Sequence, residues 1–349
     1  MFHYTQKRIV TLAAVLFLGI LIFLSRARPG SQYIYKTFFS QKNATGTAQE
    51  NQSAATLVNA VAPAYQVHSD LPEPNVKAEA YLVRFVGEDI PILKRRESKP
   101  LPPASITKLM TVLLTQELLD PRDLILFSRE AKDAGEKMSG ANMGDTFSRD
   151  DMIRLAFIGS SNDAALALAE AVGKTRGAYV FDDAVKIFVD LMNVKRDQLE
   201  LTHSYFKNPI GLDQDGHLMS AEDIARIMEH LFLYYPGLAE ISRTVATTVY
   251  SRAGKEYTIE NTNELLKEFP AILASKTGLT DNAKGALAML YPVRTTESRG
   301  EDGGTQYDGA IYSGANPLRN GRIVSIVILG SEDRFGDGRK IVEWLEEKF

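Results

Sequence analysis

The segments that read as β-strands lie at the two ends of the globular part of the chain, and helical patterning fills the middle. This restricts the fold more than any single motif does. Ala80–Val86 (AYLVRFV) is rich in β-formers, Gly87-Glu88-Asp89 signals a turn, and Ile90–Leu93 returns as a second strand. Pro102-Pro103-Ala104 then stops extended structure, and Ser105 opens a helical pattern with Ile106, Leu109, Met110, Leu113 and Leu114 apolar. From Ser128 to Pro236 the chain is mostly helical, with helical spacing over Asp150–Ile158, Asn162–Val172, Tyr179–Val194 and Ser220–Leu233. Thr244–Tyr250 and Lys255–Ile259 read as strands around Ala253-Gly254. Ala286–Tyr291 and Ile323–Leu329 are apolar and short enough to be buried strands, and Gly336–Phe349 is a closing helix. Strands at both ends with helices between them imply one mixed domain carrying a helical insertion.

Composition narrows the chemistry. The 349 residues include no cysteine, which excludes a disulfide framework, an iron–sulfur cluster, a thiol nucleophile and a Cys-based zinc site. His3, His68, His203, His217 and His230 never fall at HxxxH spacing. A net charge of −4 argues against nucleic acid as the main partner. Residues 1–74 carry six Lys/Arg and three Asp/Glu, whereas 75–349 carry 34 and 41. The basic part contains Ile9–Leu24, sixteen uncharged residues between Lys7-Arg8 and Arg26/Arg28. That length falls between a secretory apolar core and a full span of about 20 residues, and it favours an uncleaved signal-anchor over a cleaved signal peptide. Ser40–Asn75 is polar and proline-punctuated without amphipathic period, as a flexible tether would be. The organisation read from the sequence is therefore a signal-anchor or signal peptide over 1–28, a tether over 29–76, and a globular domain over 77–349 with a helical subdomain at about 128–243.

Three short patterns carry chemistry. Ser105-Ile106-Thr107-Lys108 is an S-x-x-K, and on a helix positions i and i+3 share a face, so the lysine amine can meet the serine hydroxyl. A hydroxyl is a weak nucleophile until a base takes its proton, and a lysine whose charged form is disfavoured can do so. A serine at a helix start also has free backbone N–H groups near a developing oxyanion. About one or two S-x-x-K matches arise by chance in a chain of this length. A second one, Ser204-Tyr205-Phe206-Lys207, precedes Asn208-Pro209 and reads as a loop and a chance match. Ser160-Ser161-Asn162 lies between two helices and offers a hydroxyl for proton relay and an amide for a substrate carbonyl, or simply helix capping. Lys276-Thr277-Gly278 follows the apolar Ile272-Leu273-Ala274; it is either a surface turn or a carboxylate-binding element where glycine admits close approach.

The order S-x-x-K, S-x-N, K-T-G resembles that of penicillin-binding serine enzymes. With Pro103–Thr111 (PASITKLMT), Lys207–Asp213 (KNPIGLD), Ser220–Ala225 (SAEDIA) and Asn261–Leu266 (NTNELL), the chain from about Glu79 to Phe349 resembles the D-alanyl-D-alanine carboxypeptidases, the low-molecular-mass penicillin-binding proteins of peptidase family S11. The resemblance implies an α+β, β-lactamase/transpeptidase-like fold: an antiparallel sheet flanked by helices, with a helical subdomain. It implies that Ser105 attacks the penultimate D-Ala carbonyl of a peptidoglycan stem peptide and that Lys108 is its base. Ser160 would relay the proton to the leaving D-Ala, and Asn162 would bind the substrate backbone. Lys276 and Thr277 would hold the terminal carboxylate beside Gly278, and the N–H groups of Ser105 and Leu279 would form the oxyanion hole. Two neighbouring lysines would each disfavour the other's charge. No metal or other cofactor is implied. The expected partners are the stem peptide, β-lactams as covalent inhibitors, and the membrane through the N-terminal helix; the expected location is the extracytoplasmic face of the cell membrane.

The chain departs from the family pattern in two places. Where relatives read A-G soon after the K-T-G, it has Ala283-Lys284-Gly285, one residue longer, and Pro292–Gly321 reads as an insertion. Because the sequence closes on the helix that ends at Phe349, the C-terminal β-rich domain and amphipathic tail of many relatives are expected to be absent. A D,D-endopeptidase that cuts cross-links would use the same residues and stays open as an alternative. A β-lactamase is the lesser alternative, because no E-x-x-L-N is found; Glu200-Leu201-Thr202-His203 is not one. Intact Ser105, Lys108, Ser160 and Lys276 argue against an inert wall-binding module.

Overall fold

In the computed structural model the described residues are 71–134, 139–293 and 322–349. The expected anchor at Ile9–Leu24, the tether up to residue 70 and most of the insertion, 294–321, lie outside them. Among the described residues no helix is long and apolar enough to cross a membrane.

A five-stranded antiparallel sheet joins the two ends of the globular part. Its strands are β1 (Ala80–Phe85), β2 (Pro91–Arg95), β7 (Ala274–Thr280), β8 (Lys284–Val293) and β9 (Arg322–Ser331), in the order β2-β1-β9-β8-β7. All five pair antiparallel, and β1 lies directly against β9, with Val83 opposite Ile326. Side chains alternate faces along a strand. Tyr81, Val83 and Phe85 of β1, Leu287, Met289 and Tyr291 of β8, and Val324, Ile326 and Ile328 of β9 form one core with Ile341, Val342, Trp344 and Leu345 of the closing helix. The intervening residues are buried on the opposite face, where Arg84 donates two hydrogen bonds of 3.0 Å to Glu229 on the helix Ala221–Tyr234. Coverage of both faces is why β8 and β9 read as continuous apolar runs instead of alternating ones.

Among the described residues the helices are α1 (Lys108–Leu118), α2 (Arg129–Asp133), α3 (Arg149–Phe157), α4 (Asn162–Lys174), α5 (Phe181–Gln198), α6 (Ala221–Tyr234), α7 (Pro236–Arg243), α8 (Leu265–Glu268) and α9 (Arg334–Lys348). The four helices expected between residues 150 and 233 are present as α3, α4, α5 and α6. Ser148 and Ser220 start α3 and α6 by accepting N–H bonds from Asp151 and Asp223, the serine-before-acid pattern of N-caps. The helical stretch is less uniform than its pattern suggests. Short strands β3 (Leu124–Leu126) and β4 (Thr146–Ser148) form a ribbon on it, and 199–219 is largely irregular. β5 (Ala246–Tyr250) and β6 (Glu256–Glu260) form the second expected hairpin.

Three expectations change in detail. Val76, expected in the tether, is instead buried in the core with residues of α9, and the Trp344 indole N–H donates to the Pro72 carbonyl. Pro292 and Val293, read as the start of the exposed insertion, are the last residues of β8. Lys276-Thr277-Gly278 is neither turn nor loop: it is the middle of β7, the edge strand, with Thr277 opposite Leu287. The polar Ser275, Lys276, Thr277 and Thr280 hide a strand from any reading based on apolar runs.

Candidate active site

Ser105 lies on a single 3-10 turn, Ala104–Thr107, that leads straight into α1. Three residues per turn stack positions i and i+3 directly, closer than an α-helix would. Lys108 is fully buried, and its Nζ lies 2.9 Å from Ser105 Oγ. The turn has no side-chain cap, so Ser105 is not a capping serine. Lys108 Nζ also donates to Asn162 Oδ1 at 2.8 Å and to the Ile210 carbonyl at 2.9 Å. Both of those oxygens can only accept. A hydroxyl can also donate, so Ser105 Oγ–H can point at the amine when the amine is neutral.

Ser160 and Asn162 come from the tight link between α3 and α4. Ser160 has φ +57, a left-handed conformation uncommon outside glycine, and it is 2 % exposed. This kink turns its hydroxyl toward the sheet, where Lys276 Nζ donates to it at 2.9 Å. Ser161 is the N-cap of α4 but makes no side-chain cap bond, and the Asn162 amide is used on Lys108 instead. The helix-capping alternative for this segment is therefore not realised. Asp163, next in the chain, is buried and accepts from Lys132 Nζ at 2.6 Å and from the Ser139 hydroxyl at 2.7 Å, which fastens the start of the 139–145 loop to α4.

The K-T-G strand closes the other side. Lys276 also donates to the Thr277 carbonyl at 3.0 Å, and Thr277 Oγ1 lies 2.6 Å from Thr262 Oγ1. A Cβ on Gly278 would stand 2.9 Å from the Ala104 Cβ and 3.1 Å from the Ser105 nitrogen, so only glycine lets β7 lie this close to the nucleophile's backbone. Leu279, the next residue, is 63 % exposed at the rim. All eight residues named from the sequence are thus on the three segments that meet here; six of them form two hydrogen-bonded groups, Ser105–Lys108–Asn162 and Ser160–Lys276–Thr277, and Gly278 and Leu279 follow on β7.

A fourth wall carries residues to which sequence reasoning gave no role. Asn208 Oδ1 accepts from the N–H groups of Gly211 at 2.7 Å and Leu212 at 3.1 Å, curling the chain so that the Ile210 carbonyl faces Lys108. Gly211 has φ +86, and any side chain there would overlap the Ala104 carbonyl. The Thr111 hydroxyl on α1 donates to the Pro209 carbonyl at 2.6 Å. The signal was visible as N-P-x-G, an Asx-turn sequence, but nothing in it says which carbonyl will be used.

The extra residue after the K-T-G is absorbed where β7 turns into β8. Thr280 pairs with Lys284, which adopts φ +55, and the register of β8 against β9 shifts between Gly285 and Leu287. Asp213 braces this hairpin, accepting from the Thr280 hydroxyl at 2.7 Å and the Asn282 N–H at 3.1 Å. The second S-x-x-K makes no such cluster. Ser204 donates to Asp223 at 2.7 Å, while Lys207 Nζ lies 4.7 Å from the Tyr205 ring centroid.

Comparison with known proteins identifies the family and the fold. The family model of peptidase S11, D-alanyl-D-alanine carboxypeptidase, matches residues 69–297, and the chain belongs to that family. Among characterised relatives it is 32 % identical over 201 residues to the D-alanyl-D-alanine carboxypeptidase DacF of Bacillus subtilis, covering 56 % of this chain. It spans about half of that relative's length, 49 %. It is 29 % identical over 260 residues to a D-alanyl-D-alanine endopeptidase of Pseudomonas aeruginosa, covering 73 % of each chain. The Streptomyces K15 DD-transpeptidase shares the fold, with a TM-score of 0.65 at 20 % identity over 78 % of this chain and 98 % of that one. The α+β, transpeptidase-like architecture is therefore that of the family.

Proposed function

We propose that the protein is a serine D,D-carboxypeptidase that removes the terminal D-Ala from peptidoglycan stem peptides through an acyl-enzyme on Ser105. The observation that carries this reading is the buried Lys108 amine 2.9 Å from Ser105 Oγ, flanked by two groups that can only accept its N–H bonds. In the proposed reaction neutral Lys108 takes the Ser105 proton as Oγ attacks the penultimate D-Ala carbonyl. The tetrahedral oxyanion is held by the backbone N–H groups of Ser105 and Leu279. As the C–N bond breaks, the proton taken by Lys108 is relayed through Ser160 to the departing amine, which returns Lys108 to its neutral form for the hydrolysis that follows, while Lys276 keeps its hydrogen bond to Ser160. Lys276 and Thr277 hold the substrate carboxylate, Asn162 holds the substrate backbone, and water releases the acyl group. A β-lactam enters the same path and stays attached.

The experiment is covalent labelling with a fluorescent penicillin, followed by a stem-peptide assay. A stable adduct on the wild type, absent from Ser105→Ala, together with release of free D-Ala, is the expected result. Labelling that persists in Ser105→Ala would remove Ser105 as nucleophile. The endopeptidase alternative is favoured by the similarity to the Pseudomonas aeruginosa enzyme. Cleavage of dimeric muropeptides without D-Ala release would select it. The proposal also places the enzyme outside the cytoplasmic membrane, where its polymer substrate lies, held by Ile9–Leu24. Protease digestion of intact cells, with loss of the enzyme's signal, tests that placement.

A further inference from the structure

Behind the nucleophile runs a second hydrogen-bonded chain that the proposed reaction does not use. His217 is 2 % exposed, and Phe206 meets its ring edge-on at 6.0 Å between centroids. Its Nδ1 accepts from the Lys207 N–H at 3.0 Å and the Asn208 N–H at 3.3 Å. Its Nε2 lies 2.8 Å from Thr107 Oγ1, and Thr107 Oγ1 is 2.9 Å from the Ala104 carbonyl. The directions of these bonds are determined by counting protons. Thr107 has one hydroxyl proton, and the carbonyl can only accept, so that proton goes to Ala104. His217 must then donate from Nε2, and Nδ1, facing two N–H groups, must be bare. The imidazole is the neutral Nε2–H tautomer.

We infer that His217 is a positioning residue for Ser105, setting the nucleophile-bearing turn through Thr107 while gripping the loop that presents Ile210 to Lys108. The inference rests on Ser105 being the nucleophile. The chain ends on the carbonyl of Ala104, the residue immediately before Ser105. Ala104 has φ +48, a conformation disfavoured for a residue with a Cβ, and its turn has no side-chain cap, so something else must hold it. Thr107 Oγ1 does so from inside the turn, and His217 fixes the Thr107 rotamer. At its other nitrogen, His217 binds the backbone of 207–208, directly before the Asn208 turn that aims the Ile210 carbonyl. One ring therefore connects both sides of the Ser105–Lys108 pair. Burial keeps the ring neutral: it pushes the His217 pKa down to about 4, with Asp213 opposing.

The two ring nitrogens can be tested separately. In His217→Gln the amide nitrogen reaches the place of Nε2 and keeps a donor for Thr107. In His217→Asn the amide reaches only the place of Nδ1 and keeps an acceptor for the backbone. The measurement is the second-order rate of acylation by fluorescent penicillin on the full chain, with thermal melts confirming that each variant is folded at the assay temperature. The Gln variant should acylate within about threefold of wild type, and the Asn variant about 10–100-fold slower, the range expected for small misplacement of a reacting group. Thr107→Val should match the Asn variant and Thr107→Ser should recover most of the rate. Combining His217→Asn with Thr107→Val should be no slower than the slower single variant. Equal rates for Gln and Asn, or losses that multiply in the double variant, overturn the inference alone. No labelling of wild type, or labelling of Ser105→Ala, overturns the nucleophile and the inference with it.

Discussion

The chain contains the S-x-x-K pattern twice, and the two copies behave in opposite ways. Ser105 and Lys108 sit on a 3-10 turn running into a helix, so their side chains stack on one side and meet at 2.9 Å. Ser204–Lys207 forms no helical turn, and Tyr205 is bridged to Leu218 across an isolated antiparallel pair. Without a helical turn to stack positions i and i+3, Ser204 turns to Asp223 and Lys207 lies along Tyr205. The spacing is identical; the backbone decides whether it makes a nucleophile–base pair. The second copy also contributes indirectly, because the loop after it supplies the Ile210 carbonyl to the first.

The sharpest way to break this contrast is to remove the base at each copy. Lys108→Ala should slow acylation by about 10²–10⁴-fold, the usual worth of general base catalysis, with Ser105 still in place. Lys207→Ala should leave the acylation rate within about threefold of wild type, provided its melting temperature is preserved, since side-chain loss there removes only a contact with Tyr205. Penicillin-labelling time courses on both variants decide the matter: a comparable loss in the two would mean that the second copy is part of the site.

A smaller effect is expected from Gly278→Ala. The new methyl would stand 2.9 Å from the Ala104 Cβ and 3.1 Å from the Ser105 nitrogen, so β7 must retreat from the turn. Displacement of this kind costs about 10–100-fold in rate. The loss should appear in the acylation constant and much less in the melting temperature, because β7 is an edge strand. Full activity in the alanine variant would mean that the close approach is incidental.

These two predictions also show what could be read in advance. The hairpin β1–β2, the helices α3 to α6 and helix α9 are carried by local patterning, and strands β8 and β9 by continuous apolar runs, all of it visible in the sequence. So were the three motifs, as residue types. Their meeting was not visible from periodicity, because it depends on strand β7, whose polar residues give no strand signal, and on left-handed backbone at Ala104 and Ser160. Neither is a glycine, so no residue identity announces the turn. His217, Asn208 and the Ile210 carbonyl were missed for a related reason. They act through backbone atoms or through another side chain, and a backbone carbonyl has no signature in a sequence.

Milder still is the loop that aims that carbonyl. Asn208→Ala removes the acceptor shared by Gly211 and Leu212 but leaves every side chain of the two hydrogen-bonded groups intact. Acylation should fall by about 3–10-fold as the Ile210 carbonyl drifts from Lys108, less than the loss for a wholly misplaced group. Asn208→Asp, which keeps an acceptor oxygen, should recover most of it. No recovery would mean that the amide N–H bonds of Asn208, to the Leu212 carbonyl and to Gln214, set the loop instead.

The least effect on catalysis, and the most specific dependence on pH, belongs to Ser204→Ala. The Ser204 hydroxyl and the His203 N–H both donate to Asp223, whose carboxyl is pushed above its ordinary value by burial, with these two bonds opposing. A carboxyl with a raised folded-state pKa holds its proton more tightly folded than unfolded. Its contribution to stability is therefore full in acid and is lost as pH rises through its folded titration. Removing the Ser204 donor raises that pKa further, so the variant loses more on ionisation than the wild type does. The gap in melting temperature between the two should accordingly be small near pH 4 and widen toward pH 7, where the loss of a bond to a buried charged group is worth about 1–3 kcal/mol. Penicillin acylation at pH 7, measured below both melting temperatures, should be unchanged. A gap that narrows with rising pH would mean that Asp223 is held as the ionised form by some other donor, and that Ser204 serves only to fill space beside it.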